Sequence, residues 1–254
     1  MKRASFFLAC WLATASPLNA QEASSCATAL KAPDRGCFSG SDVPTLASRN
    51  ILCRPIYTPE REALSLEYFR LHYNPEATSI DIDPRIVVAH WTDGPTAAGA
   101  LATFRPTRLG GDRPELKKGG ALNVSSQFVV DRNGDIYQLM PTTCLARHVI
   151  GLNWAAIGIE NAGGDPKYPL TKKQLEANIW LVQYLKAKHP RIAYLSGHFE
   201  YGGFRGTPLW HELLKNYYTS KSDPGKKFMA NLRSGIKANG LELKEPPQGK
   251  RFHR

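Results

Sequence analysis

The apolar run within residues 85–90 (RIVVAH) predicts a strand, whose alternating side chains put Ile86, Val88 and His90 on one face and Val87 and Ala89 on the other. Further strands are predicted at 127–131 (QFVVD), 136–139 and 156–160, and Asn133-Gly134 between the first two of these is a hairpin signal. Part of the sheet is therefore antiparallel. After Thr171 the period becomes helical. Leu175, Ile179, Val182 and Leu185 share a face, Thr171 and Gln174 have capping-box spacing, and His189-Pro190 stops the run. Two other helices are predicted, one near 60–73 and one that starts at Thr207-Pro208 and covers 210–217. Strands and helices alternate from 85 to about 237, which predicts one α/β domain with a central mixed sheet flanked by helices.

The flanks read differently. Lys2 and Arg3, an apolar run over 4–15 and the small-residue site Leu18-Asn19-Ala20 predict a signal peptide at 1–20 and an exported, periplasmic or extracellular protein. Residues 21–80 hold five prolines and three cysteines. They are expected to be an extension packed on the core, too short to hold much core of its own. The main domain is placed at 81–238, and the basic segment 239–254, with Pro246 and Pro247, is expected to be a mobile tail. Beyond the leader no segment approaches the roughly 20 apolar residues that cross a bilayer, so no integral membrane segment is expected in the mature chain.

Cys26, Cys37, Cys53 and Cys144 form an even set that suits an oxidising compartment, with one disulfide expected to close a local loop and the other to tie the extension to Cys144. The net charge of +11 favours an anionic partner. The basic residues are scattered, with no helix-turn-helix, zinc-finger or RNP-like pattern, which argues against nucleic acid. For an exported protein the bacterial cell wall is the fitting polyanion.

Candidate chemistry lies in separate stretches. His90 ends the 85–90 strand, His198 sits in SGHF, and Asp223 sits in KSDPG. Two histidines and a carboxylate suit zinc, leaving a fourth position for a water whose pKa the metal lowers. Glu160 ends its strand on the face opposite Ile157 and Ile159, where a carboxylate can take a proton from water and return it to a leaving amine. Lys221 faces the same way as Asp223 in an extended segment and can put positive charge beside a developing oxyanion.

The ordered blocks IVVAHWT, NVSSQFVVDRNGDIYQL, ARHVIG, IGIENAG, SGHFE and KSDPGKKF resemble, over about 85–228, the zinc-dependent N-acetylmuramoyl-L-alanine amidases of the amidase-2 type, relatives of phage amidases and peptidoglycan recognition proteins. The resemblance implies one zinc ion held by His90, His198 and Asp223, with Glu160 as acid/base and Lys221 as oxyanion partner. It also implies His148 and Asn161 as substrate contacts. The substrate would be peptidoglycan or a muropeptide, cut between the lactyl group of N-acetylmuramic acid and L-alanine. Residues 199–222 form a longer interval than the resemblance implies. His211 and Glu212 lie within it as other donors for the third position, and Lys-x-Asp-Pro-Gly favours Asp223 because it carries ligand and lysine together. Trp210, Tyr217 and Tyr218 are expected either to wall the substrate groove or to join the core.

Overall fold

The structure, a computed structural model, describes residues 25–32, 36–111, 113–164 and 166–248; the expected leader lies outside the described residues. Along the chain run α1 (Cys26–Lys31), β1 (Ile51–Cys53), α2 (Pro59–His72), β2 (Ile86–Trp91), α3 (Ala97–Phe104), α4 (Pro114–Lys117), β3 (Phe128–Val130), β4 (Ile136–Gln138), β5 (Ala156–Asn161), α5 (Lys172–Lys188), β6 (Tyr194–Gly197), a 3-10 helix (His198–Phe204) and α6 (Lys226–Ala238). The strands form one sheet in the order β1-β4-β3-β5-β2-β6. Only β3 and β4, joined by the Asn133-Gly134 turn, pair antiparallel. The mixed sheet flanked by helices is the architecture the alternation predicts.

The register matters most for function. β5, β2 and β6 are neighbours and run parallel, with His90 opposite Glu160 and Ala89 opposite Gly197, the residue before His198. Three chain segments therefore end together at one edge of the sheet, where parallel α/β sheets place their ligands. The alternation in β2 separates two cores. Val87 and Ala89 join the large core with α5 and α6, whereas Ile86 and Val88 pack with Val149, Ile150, Leu152, Tyr201 and Phe204 beneath the site.

α5 begins as predicted. Thr171 Oγ1 accepts from the Gln174 backbone N–H at 3.1 Å and Gln174 Oε1 from the Thr171 N–H at 2.9 Å. The Thr171 hydroxyl also donates to the Arg132 carbonyl at 2.8 Å, fastening the helix start to the hairpin. Thr171→Ala is expected to lower stability by about 1–2 kcal/mol, read from denaturant midpoints. An unshifted midpoint would mean that water replaces the cap.

The extension belongs to the sheet. β1 supplies its edge strand beside β4, Cys37–Cys53 closes a local loop, and Cys26–Cys144 ties the extension to the core. Trp180 and Tyr184 of α5 stack at 4.8 Å; the Trp180 Nε1–H donates to the Ala47 carbonyl and the Tyr184 hydroxyl to Asp42. The first part of the expected mobile tail is held in place. Lys244 pairs parallel with Tyr194, donating to the Ala193 carbonyl and accepting from the Leu195 N–H, so it covers the outer edge of β6. The Pro247 carbonyl lies where a Cβ on Gly203 would stand, an approach only glycine allows.

The helix expected over 210–217 does not form. Its backbone donors are bound elsewhere: His211 N–H to the Gly151 carbonyl at 2.9 Å and Leu213 N–H to the His72 carbonyl at 3.0 Å. Tertiary pairing takes the groups an i to i−4 ladder would need. The helices on either side are instead the 3-10 helix directly after β6 and α6, whose Phe228, Met229, Leu232 and Ile236 are buried on one face.

Candidate active site

His90, His198 and Asp223 form a buried cluster at the C-terminal edge of the sheet. His90 Nδ1 is 2.9 Å from His198 Nδ1 and 3.2 Å from Asp223 Oδ2, and His198 Nδ1 is 3.1 Å from the same oxygen. The two histidines are brought together by strand register. Asp223, distant in sequence, is brought in by one backbone bond, from the Phe199 N–H to the Asp223 carbonyl at 3.0 Å. Glu200 steadies this corner, accepting from the Gly197 N–H at 2.7 Å and from Arg233 of α6 at 2.6 Å.

The donor set fits zinc. Tetrahedral bonds of about 2.0–2.2 Å put ligand atoms roughly 3.3–3.6 Å apart, close to this triangle of two ring nitrogens and a carboxylate oxygen. Three acceptors converging without a cation would repel. Burial pushes His198 down to about 4, against the pull of Asp223 and helped by His90, so the ring is neutral near pH 7. Burial alone would raise Asp223, but the His198 and His90 rings beside it hold it well below the usual carboxylate range. A neutral imidazole and an ionised carboxylate are the ligand forms.

The cleft around the cluster has a volume of about 510 Å³, and Glu160, Lys221 and His148 line it. Glu160 is pushed up to about 7, first by burial and further by Asp223, with His90, Lys221 and Arg113 opposing. Its Oε2 is buried without a hydrogen-bond partner. His148 Nδ1 lies 3.0 Å from His90 Nε2, and burial, then the neighbouring His90, hold its ring well below the ordinary histidine range. The ring sits on Gly158, where a Cβ would come within 2.9 Å of it. Glycine at this strand position is what lets the two histidines meet.

Asn161 corrects the sequence expectation. One residue beyond Glu160, it points to the other side of the sheet, fully buried, and receives a 2.7 Å hydrogen bond from Asn178 while donating to the His90 carbonyl at 3.0 Å. Its side chain supports the His90 backbone and is not among the residues that line the cleft. His211 and Glu212 also lie apart from the cluster: His211 packs against Trp154, and Glu212 pairs with His72 at 2.8 Å.

Two groups escaped the sequence reading. Arg147 is buried on the wall of the cleft, donating to the carbonyls of Leu116, Gly120 and Leu122 and, at 2.8 Å, to the Tyr217 hydroxyl, with its guanidinium 4.9 Å over the Tyr68 ring. A charge within the apolar run LARHVIG was the available signal. Asn153 accepts the His148 and Val149 N–H groups at 2.9 and 2.8 Å and so orients the loop that carries His148. Nothing in its sequence neighbourhood marks it.

Among solved structures, the N-acetylmuramoyl-L-alanine amidase LysC from Clostridium intestinale URNW is similar at 20% identity, over 77% of this chain and 99% of its own, with a TM-score of 0.49. A selenomethionine derivative of AmpD is similar at 22% identity over 73% of this chain and 94% of its own, TM-score 0.47. Bumblebee PGRP-SA is similar at 20% identity over 77% and 97%, TM-score 0.44. Comparison with curated proteins gives no match. The profile described as N-acetylmuramoyl-L-alanine amidase matches residues 81–226, more than half of the chain, and the protein belongs to that family.

Proposed function

We propose that the protein is an exported zinc-dependent amidase that cuts the bond between N-acetylmuramic acid and L-alanine in peptidoglycan or its fragments. The observation that carries this reading is the convergence of His90 Nδ1, His198 Nδ1 and Asp223 Oδ2 in a cleft also lined by Glu160 and Lys221. These three atoms would hold the ion. Zinc bound there supplies a Lewis acid that polarises the amide carbonyl and makes water acidic enough to attack near neutral pH.

The protein's own groups handle the protons. Glu160, poised near 7, accepts a proton from the attacking water as its oxygen adds to the carbonyl carbon. It then delivers that proton to the nitrogen as the C–N bond breaks, so the amine leaves neutral and the lactyl group as a carboxylic acid, whose remaining proton passes to solvent. Lys221 stands beside this exchange and offsets negative charge as the carbonyl oxygen gains it. Two disulfides support an oxidising compartment, and among the described residues no helix is long and apolar enough to cross a membrane.

The test is peptide release from defined muropeptides, followed by mass spectrometry before chelation, after chelation and after zinc return. Activity is expected to vanish with chelator and to recover with one equivalent of zinc. Cleavage indifferent to chelator would end the zinc reading, and binding of wall fragments without peptide release would make the protein a recognition module.

A further inference from the structure

His90 turns Nδ1 toward His198 and Asp223, so in the ligand form its ring proton sits on the far nitrogen, Nε2. That Nε2–H donates to His148 Nδ1 at 3.0 Å. His148 accepts there only in the tautomer with its own proton on Nε2, and this nitrogen faces the Ala156 carbonyl at 3.3 Å. Both ring nitrogens of His148 are therefore engaged within the protein. A histidine that holds a metal needs such a partner behind it, because the partner fixes both the ring orientation and the tautomer that points a lone pair at the ion.

What holds His148 lies further back. Asn153, fully buried, accepts the backbone N–H groups of His148 and Val149 at Oδ1 and donates from Nδ2 to the Tyr73 hydroxyl at 3.1 Å and the Tyr68 hydroxyl at 3.3 Å. With two bonds at each end, its amide serves both sides in one orientation only. Tyr68 lies in α2 and Tyr73 caps the C-terminus of that helix; both are buried, and both precede residues 81–226, the part that matches the family. Hydrogen bonds thus lead from the extension through Asn153 and the loop at His148 to His90.

We propose that His148 is a positioning residue that fixes the His90 ring for the metal, and that the N-terminal extension anchors it through Asn153. The proposal rests on the zinc reading of the cluster. Helix α2 thereby takes part in the site without touching the ion.

The experiment is the zinc affinity of the full chain, stripped of metal and retitrated with zinc against a chromophoric chelator. His148→Ala is expected to bind zinc about 10- to 100-fold more weakly than wild type, the usual loss when the partner of a metal-bound histidine is removed. His148→Asn puts an amide oxygen near the Nδ1 position and should recover most of that loss, which a packing defect alone would not allow. Tyr73→Phe keeps the ring and its packing and removes one hydroxyl; its affinity should fall about twofold to tenfold, as for one lost hydrogen bond. Wild-type affinity in His148→Ala, or an Asn variant as weak as the Ala variant, would overturn the proposal. So would a raised KM at unchanged zinc affinity, the mark of a substrate contact. Wild-type affinity in Tyr73→Phe would take the extension out of the site. A wild type that binds no zinc would end the zinc reading and the proposal with it, whereas zinc affinities in the expected order without peptide release would end the amidase reading and sustain the positioning role.

Discussion

His198→Ala is expected to release the metal and with it the activity. The His198 ring sits 2.9 and 3.1 Å from the other two donors, so its loss leaves one imidazole and one carboxylate, too few to close a zinc site. Zinc content measured by elemental analysis should fall from one equivalent to near zero after dialysis. Lewis-acid stabilisation is worth several kcal/mol, so peptide release should drop by roughly a thousandfold or more. Asp223→Ala should behave in the same way, since its carboxylate reaches both histidines. If Asp223→Ala retained stoichiometric zinc and wild-type affinity, the third ligand would have to be sought elsewhere.

Glu160→Ala separates chemistry from metal binding. Glu160 lines the cleft but is not one of the three converging donors, so zinc content should remain at one equivalent while kcat falls by about 10²–10⁴, the usual range for a lost acid/base group. KM should move little, because the group works on a proton in flight and not on the bound ground state. Loss of zinc equal to that of His198→Ala would show that Glu160 is a ligand. A kcat within threefold of wild type would take the proton transfer away from it.

Much of this site is legible in the chain because local rules govern it. Period-two alternation put His90 on the face of Ile86 and Val88, and Glu160 on the face opposite Ile157 and Ile159; the sheet register then sets those two residues side by side. The capping box at Thr171 and the Asn133-Gly134 turn are likewise short-range signals, and both elements form where they predict. Asn161, one residue past Glu160 on the same strand, turns to the other side of the sheet and meets Asn178. What misled was long-range. Thr207-Pro208 is a sound helix start, yet Gly151 and His72 take the backbone donors that a helix would use. Arg147 shows its importance only through carbonyls at 116, 120 and 122 and a hydroxyl at 217, partners that no window around residue 147 contains.

The hydrogen bond from Phe199 to the Asp223 carbonyl has a consequence for how such a chain can change. It pinches residues 199–222 at their base, so Asp223 keeps its place whatever the length of chain between. Lengthening a loop already closed at its ends adds little: each doubling costs only about 0.6 kcal/mol of closure entropy. The interval is thus an exchangeable cassette, free to acquire, enlarge or lose a wall of its own while the chemistry beneath it stays still.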